Sequence, residues 1–344
     1  MIHEPVEKAS RTPLVAIAGG ANIDIQGVPY KNFIPGDSNP GNIYRSFGGV
    51  GRNIAENLVR LGFRVSLVAA FGDDEDGRAL ADDCRHKGID IDSSFPVCSR
   101  SAAYLCLVDA KGALVGAVAD MKAMDLLVPS LFEQRRDLFD QADYIVVDAN
   151  LPRESLAWFA SEYGRNSGRA HRPRLFADPV SCAKASRLKD VVGSFDCVKP
   201  NLAEAKILAG IKSTDSSAGS DDAKATIERL IAKGTVPTNL FISMGEKGLY
   251  AWSDPGVHDG YTGLIPMPKQ KAQPSGIHRS GAGDALCAGL VWADYRGCGT
   301  VDMAKYGLAA AMIAASSKDP VSAGMSESSL MHLKNEVFGR SCCS

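Results

Sequence analysis

The stretch YIVVDANLPRESLAWFASEY, Tyr144 to Tyr163, carries the pattern on which the fold turns: an apolar run over Tyr144 to Val147 ending in Asp148, then Pro152, then Leu156, Phe159, Ala160 and Tyr163 at three- and four-residue spacing. The run is too short for a helix and reads as a buried strand, and the spacing after the proline reads as an amphipathic helix. The alternation recurs in both directions. Strands are expected over Leu14 to Ala18, Val65 to Phe71, Leu175 to Asp178, Cys197 to Lys199 and Leu240 to Ser243. Helices are expected over Gly51 to Leu61, Glu75 to His86, Arg153 to Tyr163, Leu202 to Ala209 and Asp221 to Lys233, and later over Gly283 to Tyr295, Met303 to Ser316 and Ser326 to Phe338. Strand followed by helix, repeated, predicts an α/β fold with a doubly wound, mostly parallel central sheet flanked by helices.

Two regions break the rhythm. Ile25 to Phe47 is rich in Gly, Pro and Asn, and Ala102 to Asp120 divides into Tyr104 to Val108 and Leu114 to Ala119 around the turn Asp109-Ala110-Lys111-Gly112. No helix follows either, so both are expected as hairpins of a small antiparallel sheet near the strand ends, a lid over a ligand crevice. A surface hairpin without function would read the same. The expected organisation is an extended or disordered segment at 1–12, a single domain over 13–340 with lid strands from about 25–47 and 102–120, and a tail at 341–344.

The 344 residues hold 38 Lys+Arg and 40 Asp+Glu, a formal charge of −2, with neither sign gathered into a block. That balance gives no electrostatic footprint for nucleic acid or an anionic membrane, so a small-molecule partner is expected. Nine cysteines are scattered without a C-x-x-C, which suits free thiols in a reducing compartment. Met1 to Arg11 has no apolar signal core and no run is long enough to span a bilayer, so a cytoplasmic location is expected, with organelle import left open.

The motifs are individually ambiguous. Gly281-Ala282-Gly283-Asp284, after Ser280, opens a helix, where bare amides and the helix dipole make an anion site; Asp284 is either a base for an attacking hydroxyl or a plain N-cap. Ser243-Met244-Gly245-Glu246-Lys247-Gly248 is a phosphate-approaching loop or a simple hairpin turn. Lys199-Pro200-Asn201 with Glu204 is a capping box or a water-mediated magnesium site. Asn22-Ile23-Asp24 and Gly48-Gly49-Val50-Gly51-Arg52-Asn53 flank the first strand's crevice, where Asp24 and Asn53 could bind sugar hydroxyls, and a Gly-rich turn explains each equally. The acidic Asp73, Asp74, Glu75, Asp76 run reads as a solvated helix start. P-loop, zincin, nucleophile-elbow and dinucleotide fingerprints are absent from the sequence.

Taken in order, these motifs resemble the ribokinase-like (PfkB) carbohydrate kinase family over about residues 14–317. The resemblance implies a ribokinase-like fold with a β lid and transfer of the ATP γ-phosphoryl group to a primary hydroxyl, with ATP and Mg²⁺ bound. It makes Asp284 the catalytic base, with Gly281, Ala282 and Gly283 as the anion hole. Lys199, Asn201, Ser243, Gly245 and Gly248 fall at the nucleotide, Glu204 on the metal through water, and Asp24, Asn22, Gly49 and Asn53 on the sugar. The runs Gly48 to Leu58, Ala117 to Met121, Asp148 to Pro152 and Ala177 to Ser181 resemble the pseudouridine kinase branch, implying phosphorylation of the 5′-hydroxyl of pseudouridine. Asp120 and Asn150 are then candidate acceptors for the uracil N–H groups, although turn or cap roles read equally well. Relatives commonly carry Asp where this chain has His278, followed by Arg279, so K⁺ activation is left open. Other readings are a kinase for ribose, adenosine or inosine and guanosine, and a catalytically inactive nucleoside-binding or scaffold protein. A homodimer through the lid is a further expectation of the resemblance.

Overall fold

The computed structural model describes residues 11–98, 100–110, 112–211, 219–257, 259–268 and 281–339. His278, Arg279, Ser280, Lys111 and the 1–10 and 341–344 ends lie outside the described residues.

The strands are β1 (Leu14–Ala18), β2 (Asn22–Pro29), β3 (Gly41–Gly48), β4 (Arg64–Val68), β5 (Ala70–Gly72), β6 (Phe95–Cys98), β7 (Ala103–Val108), β8 (Leu114–Asp120), β9 (Tyr144–Asp148), β10 (Arg174–Asp178), β11 (Cys197–Val198), β12 (Asn239–Ser243), β13 (Gly248–Ser253) and β14 (Thr262–Pro266). The helices are α1 (Val50–Arg60), α2 (Glu75–His86), the short α3 (Lys122–Asp125), α4 (Pro129–Glu133) and α5 (Arg136–Gln141), α6 (Arg153–Tyr163), α7 (Cys182–Ala185), α8 (Leu202–Leu208), α9 (Ser220–Ala232), α10 (Ala282–Tyr295), α11 (Thr300–Ala315) and α12 (Glu327–Phe338).

An eight-stranded sheet runs in the order β14-β13-β12-β11-β10-β9-β1-β4. The pairs from β12 to β4 are parallel, and β13 and β14 add an antiparallel edge. The period of two sorts side chains between two helical layers. Val15, Ile17, Val146 and Phe176 pack with Ile54 and Leu58 of α1, Leu286 and Leu290 of α10 and Leu308 of α11. Ile145, Val147 and Leu175 pack on the other side with Leu156 and Phe159 of α6, Ala205 of α8 and Leu230 of α9. Burial on both faces explains why the strands read as unbroken apolar runs, and each fully buried side chain of this size contributes about 1.5–3 kcal/mol.

The lid sheet has the order β3-β2-β7-β8. Both expected hairpins are present and antiparallel, but they join through a parallel β2–β7 pair, because the first strand of each leaves the body in the same direction. Register places Asp24 beside Ser46 and Tyr104 on one face, and Ile25 beside Arg45, Leu105 and Val118 on the other.

The run Val65 to Phe71 divides in two. The Ala69 amide donates to Ser94 Oγ at 3.0 Å, ending the ladder, and β5 pairs instead with β6. β14, which contains a Gly and ends in Pro, carried too little strand signal to be expected. No helix among the described residues is long and apolar enough to cross a membrane.

Candidate active site

The crevice forms where β1, β9 and β10 end and α1 and α10 begin. The turn into α1 requires glycine at Gly49: its φ is +100°, and a Cβ there would lie 2.4 Å from the Gly20 carbonyl oxygen. Close approach of these backbones brings Asn53, one turn into α1, to the start of α10.

Asp284 stands in the first turn of α10, and that helix has no side-chain cap hydrogen bond. The N-cap alternative is therefore not realised. The Asp284 carboxylate is buried and accepts from Asn53 Nδ2 at 2.9 Å. Arg52 Nη1 donates to Asn53 Oδ1 at 3.2 Å, so the amide is turned with its NH₂ toward Asp284. Arg52 is itself buried against Glu56 and Asp83, at 2.7 and 2.6 Å. Burial pushes the Asp284 carboxyl up to about 7; the Asp178 charge adds to this, and the Asn53 hydrogen bond and Lys199 work against it. A carboxylate of that basicity suits proton transfer near neutral pH.

Beside it, Lys199 Nζ lies 2.8 Å from Asp178 Oδ2, both side chains buried. The same ammonium is 3.1 Å from where a Cβ on Gly283 would be, which sets a cation against the amides that open α10. Burial alone would depress the lysine, but Asp178 and the other neighbouring acidic groups more than offset it and hold its pKa raised. Gly281, Ala282 and Gly283 begin the helix, and its first ladder bond there runs from Ala285 N to Gly281 O at 2.9 Å. The amides ahead of it have no partner within the helix ladder, as at any helix start, and the helix dipole places positive charge there.

Asn201 and Glu204 form the capping box in full. Glu204 N donates to Asn201 Oδ1 at 2.9 Å, and Glu204 accepts from Asn201 N at 2.9 Å and Asn201 Nδ2 at 2.7 Å. Glu204 is buried, and burial raises its pKa against the pull of the Asn201 bond. Asn201 bridges to Ser243, whose amide donates to Pro200 O at 2.9 Å, so the Asn201 and Ser243 motifs meet. Gly245 and Gly248 bound a single turn of 3₁₀ helix between β12 and β13, so the hairpin reading of that loop is realised, next to the capping box. Among the described residues no group of three His, Cys, Asp or Glu side chains is placed to hold a metal. A single carboxylate that keeps lone pairs for water fits a magnesium ion, which retains waters and binds chiefly through phosphates. Replacing Asn201 with Ala should lower the unfolding free energy by about 1 kcal/mol in urea titrations, the usual cost of a lost cap.

On the other flank, Asn22 Nδ2 donates to Asp24 Oδ1 at 2.7 Å. Burial raises the Asp24 pKa while Asn22 and Arg52 oppose it. Asn150 is buried after β9, and a Cβ on Gly20 would lie 2.5 Å from its Nδ2. Asp120 is exposed at the end of β8, in register with Ala103 and Ile23, the strand face opposite Asp24. Contacts thus link Asn22 with Asp24, Asn53 with Asp284, the Gly20 backbone with Gly49 and Asn150, and Lys199 with the Gly283 turn that follows Gly281 and Ala282, whereas Asp120 stands on the lid face opposite Asp24.

Sequence reading did not select Arg52, Asp148 or Asp178 as site residues. Asp148 accepts from the Gly20 and Asn150 amides, each at 2.8 Å, and Asp178 faces it across the β9–β10 register. The available signal was an Asp closing each of two successive parallel strands, at the carboxyl edge where such sheets bind ligands.

A helix-opening anion site, a buried carboxylate of raised pKa and a lidded α/β crevice define a phosphotransferase-like class of site. The family model for pfkB family carbohydrate kinases matches residues 12–326. A pseudouridine kinase of Escherichia coli (strain K12) is 33% identical over 283 residues, 81% of this chain and 84% of that protein. An uncharacterized sugar kinase of the same organism, YeiI, is 30% identical over 302 residues, 88% of this chain and 78% of its own length. A carbohydrate kinase from Agrobacterium tumefaciens superposes with a TM-score of 0.76 at 28% identity, covering 95% of this chain and 98% of that one. The chain belongs to the pfkB family of carbohydrate kinases.

Proposed function

We propose that this kinase transfers the γ-phosphoryl group of ATP to the 5′-hydroxyl of pseudouridine. The observation that carries the transfer chemistry is Asp284, buried in the first turn of α10 beside Lys199 and held by Asn53. Asp24, Asn22, Gly49 and Asn53 bind the ribose, and the lid closes over it. Asp284 takes the 5′-hydroxyl proton, while the amides of Gly281 to Gly283 and the Lys199 ammonium stabilise charge on the moving phosphoryl group. Magnesium, associated with Glu204 through water, neutralises phosphate charge when bound. The pseudouridine assignment draws its support from the 33%-identical kinase of that name.

The test is a panel of pseudouridine, ribose, adenosine, inosine and guanosine with ATP and magnesium, products identified by mass. A mass gain of one phosphate on pseudouridine, at the highest kcat/KM of the panel, is expected. Preference for another acceptor overturns the substrate, and the absence of acceptor-dependent ADP release overturns the kinase reading. The reading also carries a homodimer through the lid, supported by Ile43, Leu105 and Val118, exposed hydrophobics on the lid face away from Asp24.

A further inference from the structure

Lys184 is half-buried on α7, and its Nζ donates to Asn150 Oδ1. That neutral amide is its one hydrogen-bond partner among the described residues, and no carboxylate there forms an ion pair with it. An ammonium carries three N–H donors, and a lysine withdrawn from water normally spends them on a carboxylate. Here donors remain over beside Asn150. Burial holds the Lys184 pKa below its ordinary value, with Asp148 opposing and Arg187 adding.

The surroundings fix that position firmly. Arg187 Nη1 donates to the carbonyls of Ala149, Asn150 and Leu151 at 3.3, 2.8 and 3.0 Å, which pins the loop that carries Asn150. The other end of the Asn150 amide rests on the Gly20 backbone, so its oxygen is turned to Lys184. α7 is launched by a turn in which Val180 has a φ of +66°, a left-handed conformation that a β-branched residue rarely adopts, and the Val180 amide donates to Asp178 at 2.7 Å. Val180 is the one non-glycine residue with positive φ among the described residues. Strained backbone of this kind persists where the surrounding structure holds a functional geometry.

We propose that Lys184 is a specificity-determining residue for the acceptor's base, its ammonium donating to a ring carbonyl oxygen of an oxo-nucleobase. The inference rests on the reading of the acceptor as a nucleoside. With Asp284 taking the hydroxyl and Asp24 and Asn53 the sugar, Asn150 with Lys184, which adjoins that group through the Gly20 backbone, is the part of the site assigned to the base. An anionic group there would meet Asp148, whereas a neutral carbonyl satisfies the spare donors without that repulsion. The Asn150 oxygen, already engaged by Lys184, is correspondingly less available to a ring N–H than the sequence reading supposed.

The experiment measures kcat and both KM values for wild type, Lys184→Met and Lys184→Arg with the oxo-base nucleoside that wild type phosphorylates best. Lys184→Met should raise the nucleoside KM roughly 10- to 100-fold, the worth of one hydrogen bond from a charged donor, while the ATP KM stays near wild type. Lys184→Arg, which keeps a donor, should recover most of the loss. An unchanged nucleoside KM in Lys184→Met, or a parallel loss in kcat and both KM values that Lys184→Arg shares, overturns the proposal. If inosine or guanosine replaces pseudouridine as best acceptor, the substrate assignment fails while Lys184 is judged on that nucleoside. If no oxo-base nucleoside is accepted, both fail.

Discussion

Replacing Asp284 with Asn should lower kcat by roughly 10²- to 10⁴-fold, the contribution of a positioned general base, with ATP affinity little changed. The substitution keeps the shape and leaves an oxygen to accept from Asn53 Nδ2, and Lys199 and the α10 amides are untouched, so the loss isolates proton transfer. Steady-state kinetics with direct ATP binding checks it, and near-normal turnover would remove Asp284 from the role. The same variant should gain stability at alkaline pH. The folded-state pKa of Asp284 is about 7 against an ordinary 3.8, so between those values the folded protein holds more protons than the unfolded chain. Stability therefore falls as pH rises through that window, and above it wild type carries the full cost of a buried charge. Asn carries none. Asp284→Asn should unfold later than wild type at pH 8 by an amount on the order of a few kcal/mol, and the difference should close on acidification toward the lower end of the window. Catalysis and stability thus oppose each other at this residue, as at many active sites.

Replacing Gly281 with Ala should be comparably damaging by another route. Gly281 has a φ of +85°, and a Cβ there would lie 1.9 Å from the Pro320 carbonyl oxygen. Backbone cannot yield as the end of a side chain can, so the start of α10 must shift, at about 2–3 kcal/mol of folding free energy. Asp284 and the donor amides move with it, and a displacement near 1 Å costs about 10²-fold in rate. Gly283→Ala is the matched control for stability: its Cβ would meet only the Lys199 ammonium at 3.1 Å, the end of a flexible side chain. Urea unfolding of both variants, with kcat of Gly281→Ala, decides it. A Gly281→Ala protein with wild-type stability and turnover would show that the tight turn into α10 does not set the site.

How much of this was legible in the residues follows from the physics of each part. Strands buried on both faces and helices with one apolar side announce themselves, so α2 and α6 were located residue for residue. The lid's two hairpins were legible from alternation and turn chemistry, but their parallel joining depends on where each leaves the body, which no local pattern records. The capping box at Asn201 and the residues around Asp284 were legible as motifs, each with a bland alternative. Geometry realised the capping box and set aside the N-cap reading of Asp284. What stayed hidden was long-range. The Arg52 contact that turns Asn53, the Asp178 partner of Lys199 and the strained Val180 turn all depend on side chains or backbone brought together by the fold.

The pH dependence of kcat/KM tests the central claim most directly, because it reports the ionisation of the free enzyme's essential groups. With Asp284 as the base, kcat/KM for the acceptor should climb with pH as that carboxyl loses its proton near 7 and level off above it. A rate that is flat across that range, or that falls through it, would contradict the account.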